Sequence, residues 1–252
     1  MTEPAPETSA PTGAPRAAAS CARVGHVIVA ARDEADRIAD TVAALGRAFP
    51  GSSVIVADDG SHDGTADAAR DAGADVVGDG RHRGKGGAAS LAAARVLADG
   101  PPAENAVVLL ADADLAGSAE RLAPLAAAVA AGDADIAVAG FSKRVGGGFG
   151  VALGFARWAI QRRCGLDTSA PISGQRALSY AALKTVSPFH PGFGMEIGMT
   201  VDAVRAGLRV EEIELDLAHR ATGRSLKGFV HRGRQLRDFM RVYLQLGRGG
   251  AR

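Results

Sequence analysis

Val107-Val108-Leu109-Leu110-Ala111-Asp112-Ala113-Asp114 sets an aliphatic run directly against two carboxylates separated by one residue. A short run with β-branched members reads as a buried strand, and the paired acids then occupy the loop at its carboxyl end. In an open α/β sheet that end is where ligands bind. Two carboxylates at this spacing suit a divalent cation together with a ribose or a diphosphate. Standing alone, such a pair is more often a solvated loop, so its meaning depends on the sequence around it.

Towards the N-terminus, short apolar runs alternate with amphipathic stretches. Val24 to Ala30 reads as a strand. Asp33 to Phe49 reads as a helix with Ile38, Val42, Leu45 and Phe49 on one face. Ser53 to Ala57 and Asp75 to Val77 read as strands, and Thr65 to Ala72 and the Ala-rich Gly86 to Leu97 as helices. Beyond the acidic pair come a helix over Ala119 to Ala131 and a strand at Ile136 to Val138. Strict alternation implies βαβ units, hence an α/β fold with a mostly parallel, Rossmann-like sheet and helices on both faces. The second half is less regular: helix over 149–163, an extended segment over 171–178, helix over 194–206, strand over 209–215 and helix over 226–246. We expect one domain over residues 23–252, with a nucleotide-binding half at 23–140 and a smaller acceptor half at 141–252. Residues 1–22, where Pro4, Pro6, Pro11 and Pro15 interrupt Ala, Ser, Thr and Glu, read as a disordered tail without the pattern of a signal peptide.

The 252 residues are 47% hydrophobic with a net charge of +1, enough apolar content for a sizeable core and no general attraction for nucleic acid. Two cysteines, Cys21 and Cys164, cannot build a thiolate zinc site and lean towards a reducing, cytoplasmic setting. The longest apolar stretch, Val145 to Ile160, is broken by glycines and Arg157 and falls short of the roughly 20 residues a membrane span needs.

Three strand-end loops precede the acidic pair. Ala30-Ala31-Arg32-Asp33-Glu34 follows the first strand, where Asp33 is expected to cap the helix and leave amides free for an anion. Asp58-Asp59-Gly60-Ser61-His62-Asp63-Gly64 follows the second and offers carboxylates to a base N–H. Arg81-His82-Arg83-Gly84-Lys85-Gly86-Gly87 follows the third, a basic, glycine-rich helix entry suited to phosphate. The P-loop spacing is absent, and the first loop lacks the Gly-x-Gly-x-x-Gly of a dinucleotide-binding dehydrogenase. Each loop is weak by itself. Met in order, followed by Asp112-Ala113-Asp114, they favour a nucleotide and a metal.

These four segments, Val27 to Glu34, Val56 to Thr65, Arg83 to Gly86 and Asp112 to Leu115, resemble the GT-A glycosyltransferases of the family-2-like group. The resemblance implies a metal-dependent transfer of sugar from a nucleotide diphosphate donor, with uridine the common base. It implies that Ala30, Ala31, Arg32 and Glu34 with Asp58 or Asp59 hold the nucleoside, that Lys85 lies near the diphosphate, and that Asp112, Ala113 and Asp114 serve ribose and a Mg²⁺ or Mn²⁺ ion. In the second half, Ser173-Gly174-Gln175-Arg176, the run from Pro188 to Gly198, and Ala218-His219-Arg220 resemble the glucosyl-3-phosphoglycerate synthases. By that likeness Gly174, Arg176 and Gly194 meet the acceptor, Glu196 lines the reacting centre and His219 joins Asp114 on the metal, with retention at the anomeric carbon. Gly-Gln-Arg stands where that group carries a more basic loop, which leaves the acceptor open between phosphoglycerate and another small molecule. His231 is the fallback metal ligand, and His26, inside the first strand, reads as a packed histidine.

The basic C-terminal stretch, with Arg224, Lys227, Arg232, Arg234, Arg237 and Arg241 among apolar residues, has three readings. It is an amphipathic helix packing on the domain or on a second copy in a homodimer, a lid bringing Arg220 and Arg224 over the diphosphate, or a contact with an anionic membrane. Rival functions are a polyprenyl-phosphate sugar transferase, a nucleotidyltransferase and a non-catalytic nucleotide-sugar sensor. The nucleotidyltransferase lacks its glycine-rich first loop here, and the intact acidic pair with His219 weighs against the sensor.

Overall fold

The first strand shows how the apolar residues are divided between two layers. In β1 (Val24–Ala31), Val27 and Val29 enter one core and Ile28 the other, as the two-residue period of a strand requires. β4 (Val107–Asp112) repeats the division, Leu109 and Ala111 against Val108 and Leu110. The computed structural model describes residues 23–141, 150–215 and 237–247. Among them β2 (Ser53–Asp58), β3 (Asp75–Val77), β5 (Ile136–Phe141), β6 (Arg176–Ser179) and β7 (Val210–Leu215) complete one sheet in the order β3-β2-β1-β4-β6-β5-β7. Neighbours run parallel except β6, which is antiparallel to both β4 and β5.

On the Val27 side lie α1 (Ala35–Ala48), whose Ile38, Val42 and Leu45 form the buried stripe, with α2 (Thr65–Asp71) and α4 (Ala123–Ala130). On the Ile28 side lie α3 (Lys85–Asp99), α6 (Tyr180–Val186) and α7 (Met195–Arg205). α3 buries Ala88, Ala89, Ala92 and Ala93, and such small side chains let a helix backbone lie close against the sheet. A third apolar cluster joins α5 (Gly150–Cys164) and α7 to a last helix, α8 (237–247), through Ile160, Ile197, Val201, Phe239 and Val242. No helix of the described residues is long and apolar enough to cross a membrane.

The mostly parallel α/β sheet expected from the alternation is present, and four local expectations need correction. α1 starts at Ala35 because Asp33 is left-handed at φ 53°, and Glu34, without a side-chain cap, takes the capping position. The helix expected over 119–131 is a 3-10 segment, Ala116–Leu122, followed by α4, whose first turn holds a proline where the missing N–H costs nothing. The extended segment over 171–178 narrows to β6 at Arg176–Ser179, and α6 was not expected at all. Ser179 caps α6 by accepting from the Ala182 amide at 3.1 Å. His26 is packed as expected, its ring against the Tyr180 hydroxyl, and burial pulls its pKa below the ordinary histidine value.

The entry to α3 is held by close backbone contact. A Cβ on Gly86 would lie 1.8 Å from the His190 carbonyl oxygen and 3.2 Å from the Met195 Cβ. Gly86→Ala is therefore expected to push α3 off the segment before α7 and to cost about 1–3 kcal/mol, read as a lowered urea midpoint at unchanged m-value.

Candidate active site

The carboxyl ends of three strands lie side by side, since Ala31 pairs with Asp58 and Ala30 with Asp112. At the end of β4, Ala113 turns inward to the core and its carbonyl accepts from the Thr41 hydroxyl of α1 at 2.7 Å. The small apolar residue between the acids thus anchors the turn and leaves Asp112 and Asp114 half-buried at its surface. The antiparallel direction of β6 matters here. With Leu110 opposite Arg176, the segment entering β6, Ser173 to Gln175, is delivered to the end of β4. A Cβ on Gly174 would meet both Asp112 carboxylate oxygens, at 2.6 and 2.7 Å, and the Lys85 Nζ at 2.6 Å.

Lys85, the first residue of α3, is the hub. Its Nζ lies 2.6 Å from Asp112 Oδ1 and 2.8 Å from Glu196 Oε1, while the side chain keeps 23% of its exposure. Glu196 is in the first turn of α7, where the helix dipole favours its charge, and its side chain is 5% exposed. Burial alone would lower the Lys85 pKa. The two carboxylates, Asp112 the stronger, overcome that and hold it above the ordinary lysine range. Lys85 is accordingly a permanent cation at neutral pH.

Arg176, expected at the acceptor, is 1% exposed. Its Nε donates to the Ser173 carbonyl and its Nη1 to Thr200 Oγ1, both at 2.9 Å. Desolvation lowers its pKa to about 10, with Glu196 and then Glu212 opposing. It lies beneath the site and braces the segment of Gly174 against α7. Among the described residues its Nη2, the Ser173 hydroxyl and both amide atoms of Gln175 are buried without a hydrogen-bond partner. Gly194, also expected to meet the acceptor, instead abuts α8: a Cβ there would lie 2.0 Å from a Val242 methyl carbon.

The first loop corrects a second expectation. Its amides are not free for an anion: Asp33 N donates to Ser61 Oγ, Glu34 N to Thr65 Oγ1 and Ala35 N to Asp63 Oδ2, at 3.0, 2.8 and 3.0 Å. Asp33 accepts in return from the His62 amide at 2.9 Å, so it clasps the second loop instead of capping α1. Asp59 is 5% exposed and accepts from the Arg83 amide at 2.6 Å and the His82 ring at 2.7 Å, which ties the second loop to the third. Asp58 remains half-buried, with the Ser61 amide 3.4 Å from its oxygens, and Arg32 is exposed with its Nη1 2.7 Å from the His82 ring. Sequence reasoning passed over Ser61, Asp63, Thr65 and His82 as carriers of this clasp. For Ser61, Asp63 and Thr65 the signal was the short polar side chains clustered after one strand; His82 lies in the third loop and carried no such mark.

Glu34 reports on the charge at the mouth. Burial raises its pKa first, Arg37 opposes, and the negative charges of Asp114, Asp63 and Asp112 raise it further. Such a concentration of hard oxygen donors suits Mg²⁺ or Mn²⁺. Among the described residues no three His, Cys, Asp or Glu side chains group closely enough to hold a metal, so an ion at the expected Asp112 and Asp114 would need a further donor. His219, expected in that role, and Arg220, Arg224 and His231 lie outside the described residues.

Comparison with known proteins agrees with this geometry. A family model described as glycosyl transferase family 2 matches residues 26–182, more than half of the chain. No protein of curated function matches the sequence significantly. Among solved structures, glucosyl-3-phosphoglycerate synthase from Mycobacterium tuberculosis bound to phosphoglyceric acid superposes with a TM-score of 0.71 at 24% identity, over 90% of this chain and 81% of that one. The same enzyme with Mn²⁺, UDP-glucose and phosphoglyceric acid gives 0.72 at 22% identity, over 93% and 85%. A further mycobacterial protein gives 0.70 at 25% identity, over 90% and 76%.

Two outcomes follow from the Lys85 contacts. Gly174→Ala should fold normally, since the strain falls on side-chain ends, yet displace Lys85 from Asp112 and lower turnover about 100-fold in a steady-state assay. Among the described residues, Lys85→Met leaves Glu196 buried with Arg176 as the remaining cation, at a cost at or below the ~3–5 kcal/mol of a broken buried pair, since Lys85 is partly solvated. Because the folded-state pKa of Lys85 is raised, its stabilisation is fully present below the free-lysine value and is lost as pH rises through the folded value. The melting-temperature gap between wild type and Lys85→Met should thus be constant through the neutral range and shrink only above roughly pH 10.4.

Proposed function

The chain belongs to glycosyl transferase family 2, and from that premise we propose that it transfers a sugar from a uridine diphosphate sugar to a small, phosphorylated acceptor with the aid of a divalent cation. The observation that carries this reading is the Lys85 ammonium set between Asp112 and Glu196 where β1, β2 and β4 end together. The M. tuberculosis synthase is recorded with Mn²⁺, UDP-glucose and phosphoglyceric acid, which makes a UDP-sugar and a phosphorylated acid the first compounds to try.

In this proposal Asp112 and Asp114 hold the cation with His219 from outside the described residues. Bound there, Mg²⁺ or Mn²⁺ supplies positive charge against the negative charge that grows on the departing diphosphate. The chain's own part is electrostatic. Lys85 presents a preorganised cation to the donor, needing no proton transfer to become charged, and shares Asp112 with the metal site. Asp58 and the ends of β1 receive the nucleoside, with Asp59 acting through the third loop it holds. Gly174 lets its backbone lie directly against Asp112 and Lys85 on the acceptor side, and Glu196 reaches Lys85 from α7. Arg176 supports this wall from behind, and Arg220 and Arg224 add positive charge to the diphosphate side. Retention at the anomeric carbon is the proposed outcome, checked by proton NMR of the product.

The test is thermal shift and turnover with UDP-glucose and Mn²⁺. The wild type should melt several degrees higher with both ligands than with either alone, as binding to the native state requires. Asp114→Ala should lose that synergy and the turnover while keeping the ligand-free melting temperature, its carboxylate being in a half-buried surface turn. Full activity in Asp114→Ala would falsify the metal assignment. A loss in His231→Ala that His219→Ala does not share would move the third ligand to residue 231.

A further inference from the structure

The large apolar side chains left exposed among the described residues gather on two helices. Val151 and Trp158 on α5 are 78% and 50% exposed, and Met240 and Leu244 on α8 are 49% and 59% exposed. Val151, Phe155 and Trp158 share one stripe of α5 by their spacing, and Met240, Tyr243 and Leu244 share one stripe of α8. The two stripes meet: the Trp158 and Tyr243 ring centroids are 4.9 Å apart, and Phe155 touches both rings. The result is a continuous aromatic and aliphatic band across the pair of helices.

Among the described residues, the exposed charges that α5 and α8 set beside this band are arginines. α5 carries Arg157, Arg162 and Arg163 and no acid. On α8, Arg237 and Arg241 flank Met240 and Leu244, and the one acid, Asp238, is turned towards the Gly192 and Phe193 backbone with its side chain 18% exposed. Arg163 stacks over the Tyr243 ring at 3.8 Å, which keeps its charge at the band. Asp167 and Glu212 line a recess together with Arg157 and Trp158, and Glu212 is held there by the Ser169 and Ala170 amides. Arginines with long apolar stems beside a Trp, Met and Leu surface match the demands of a lipid headgroup layer, where the stems lie among the acyl ends and the guanidinium groups meet phosphate.

We infer that the α5–α8 face docks this protein on an anionic phospholipid surface. Charge decides between this occupant and a second copy of the chain. A two-fold contact through the same face would set the arginines of one copy against those of the other, and on the described part of the two helices the only acid to answer them is the inward-turned Asp238, whereas an anionic bilayer complements them. The docking does not depend on the sugar-transfer reading, because no member of the band belongs to the Lys85 site. The connection is mechanical: the inner side of α8 packs by Val242 on Gly194, directly before the helix that carries Glu196.

Trp158 is the only tryptophan of the chain, so its fluorescence reports on this face alone. The full-length protein is mixed with vesicles of equimolar phosphatidylcholine and phosphatidylglycerol, without substrate. We expect a blue shift of the emission and co-sedimentation at least roughly tenfold above that with pure phosphatidylcholine vesicles, both reduced by high salt. Met240→Gln with Leu244→Gln, or Arg162→Glu with Arg241→Glu, should abolish both signals while circular dichroism and turnover on soluble substrates stay at wild-type levels. Equal binding to neutral vesicles, or no shift with anionic ones, overturns the inference. So does light scattering that finds, without lipid, a dimer dissociated by the Met240→Gln, Leu244→Gln pair, since a second copy is then the occupant.

Discussion

One ammonium group between two carboxylates organises this molecule. Lys85 begins α3, Asp112 ends β4 and Glu196 lies in the first turn of α7, so a single charge triplet ties together the entrance of one helix, the edge of the sheet and the entrance of another helix. The arrangement is sensitive because its members are largely withdrawn from water. Two acids and one base leave a net negative charge that Arg176, buried behind Glu196, partly answers. Gly174 fits into the same space only because it lacks a side chain. A polar constellation of this kind is costly to leave half-satisfied, and it therefore holds its geometry before any ligand arrives.

The remainder of the site is fastened by hydrogen bonds between loops. Ser61, Asp63 and Thr65 take the amides at the start of α1, Asp33 takes an amide in return, and Asp59 takes one from the glycine-rich loop. Three strand-end loops thereby become one rigid rim. The cost is that the Asp33, Glu34 and Ala35 amides are already used and are not open to an anion. The negative charges of Asp114, Asp63 and Asp112 also reach Glu34 and add to the rise in its pKa that burial causes first.

α8 has two faces with different tasks. Phe239, Val242 and Leu246 are buried against α5 and α7, and Val242 fills the space that Gly194 leaves free. Met240 and Leu244 look outward between arginines. A helix built this way connects the rear of the Glu196 wall to the outer surface of the protein through one layer of packed side chains, with no intervening loop.

By itself the sequence determined the αβ alternation, the strand cores and the order of the nucleotide-side loops, because hydrophobic periodicity records which residues leave water and strand ends record where polar groups gather. The placement of Asp112-Ala113-Asp114 at a strand end and of Lys85 at a helix entry was legible for that reason, and so was the family. Tertiary structure alone decided the rest. A strand as short as β6 carries no mark of its direction, yet its antiparallel entry between β4 and β5 is what brings Gly174 to Asp112. The partners of Lys85, the burial of Arg176 and the diversion of Asp33 from capping α1 to clasping the second loop likewise depend on residues distant in the chain. Which of several available polar partners a charged side chain takes is settled by where the sheet delivers them, and that is a property of the assembled topology.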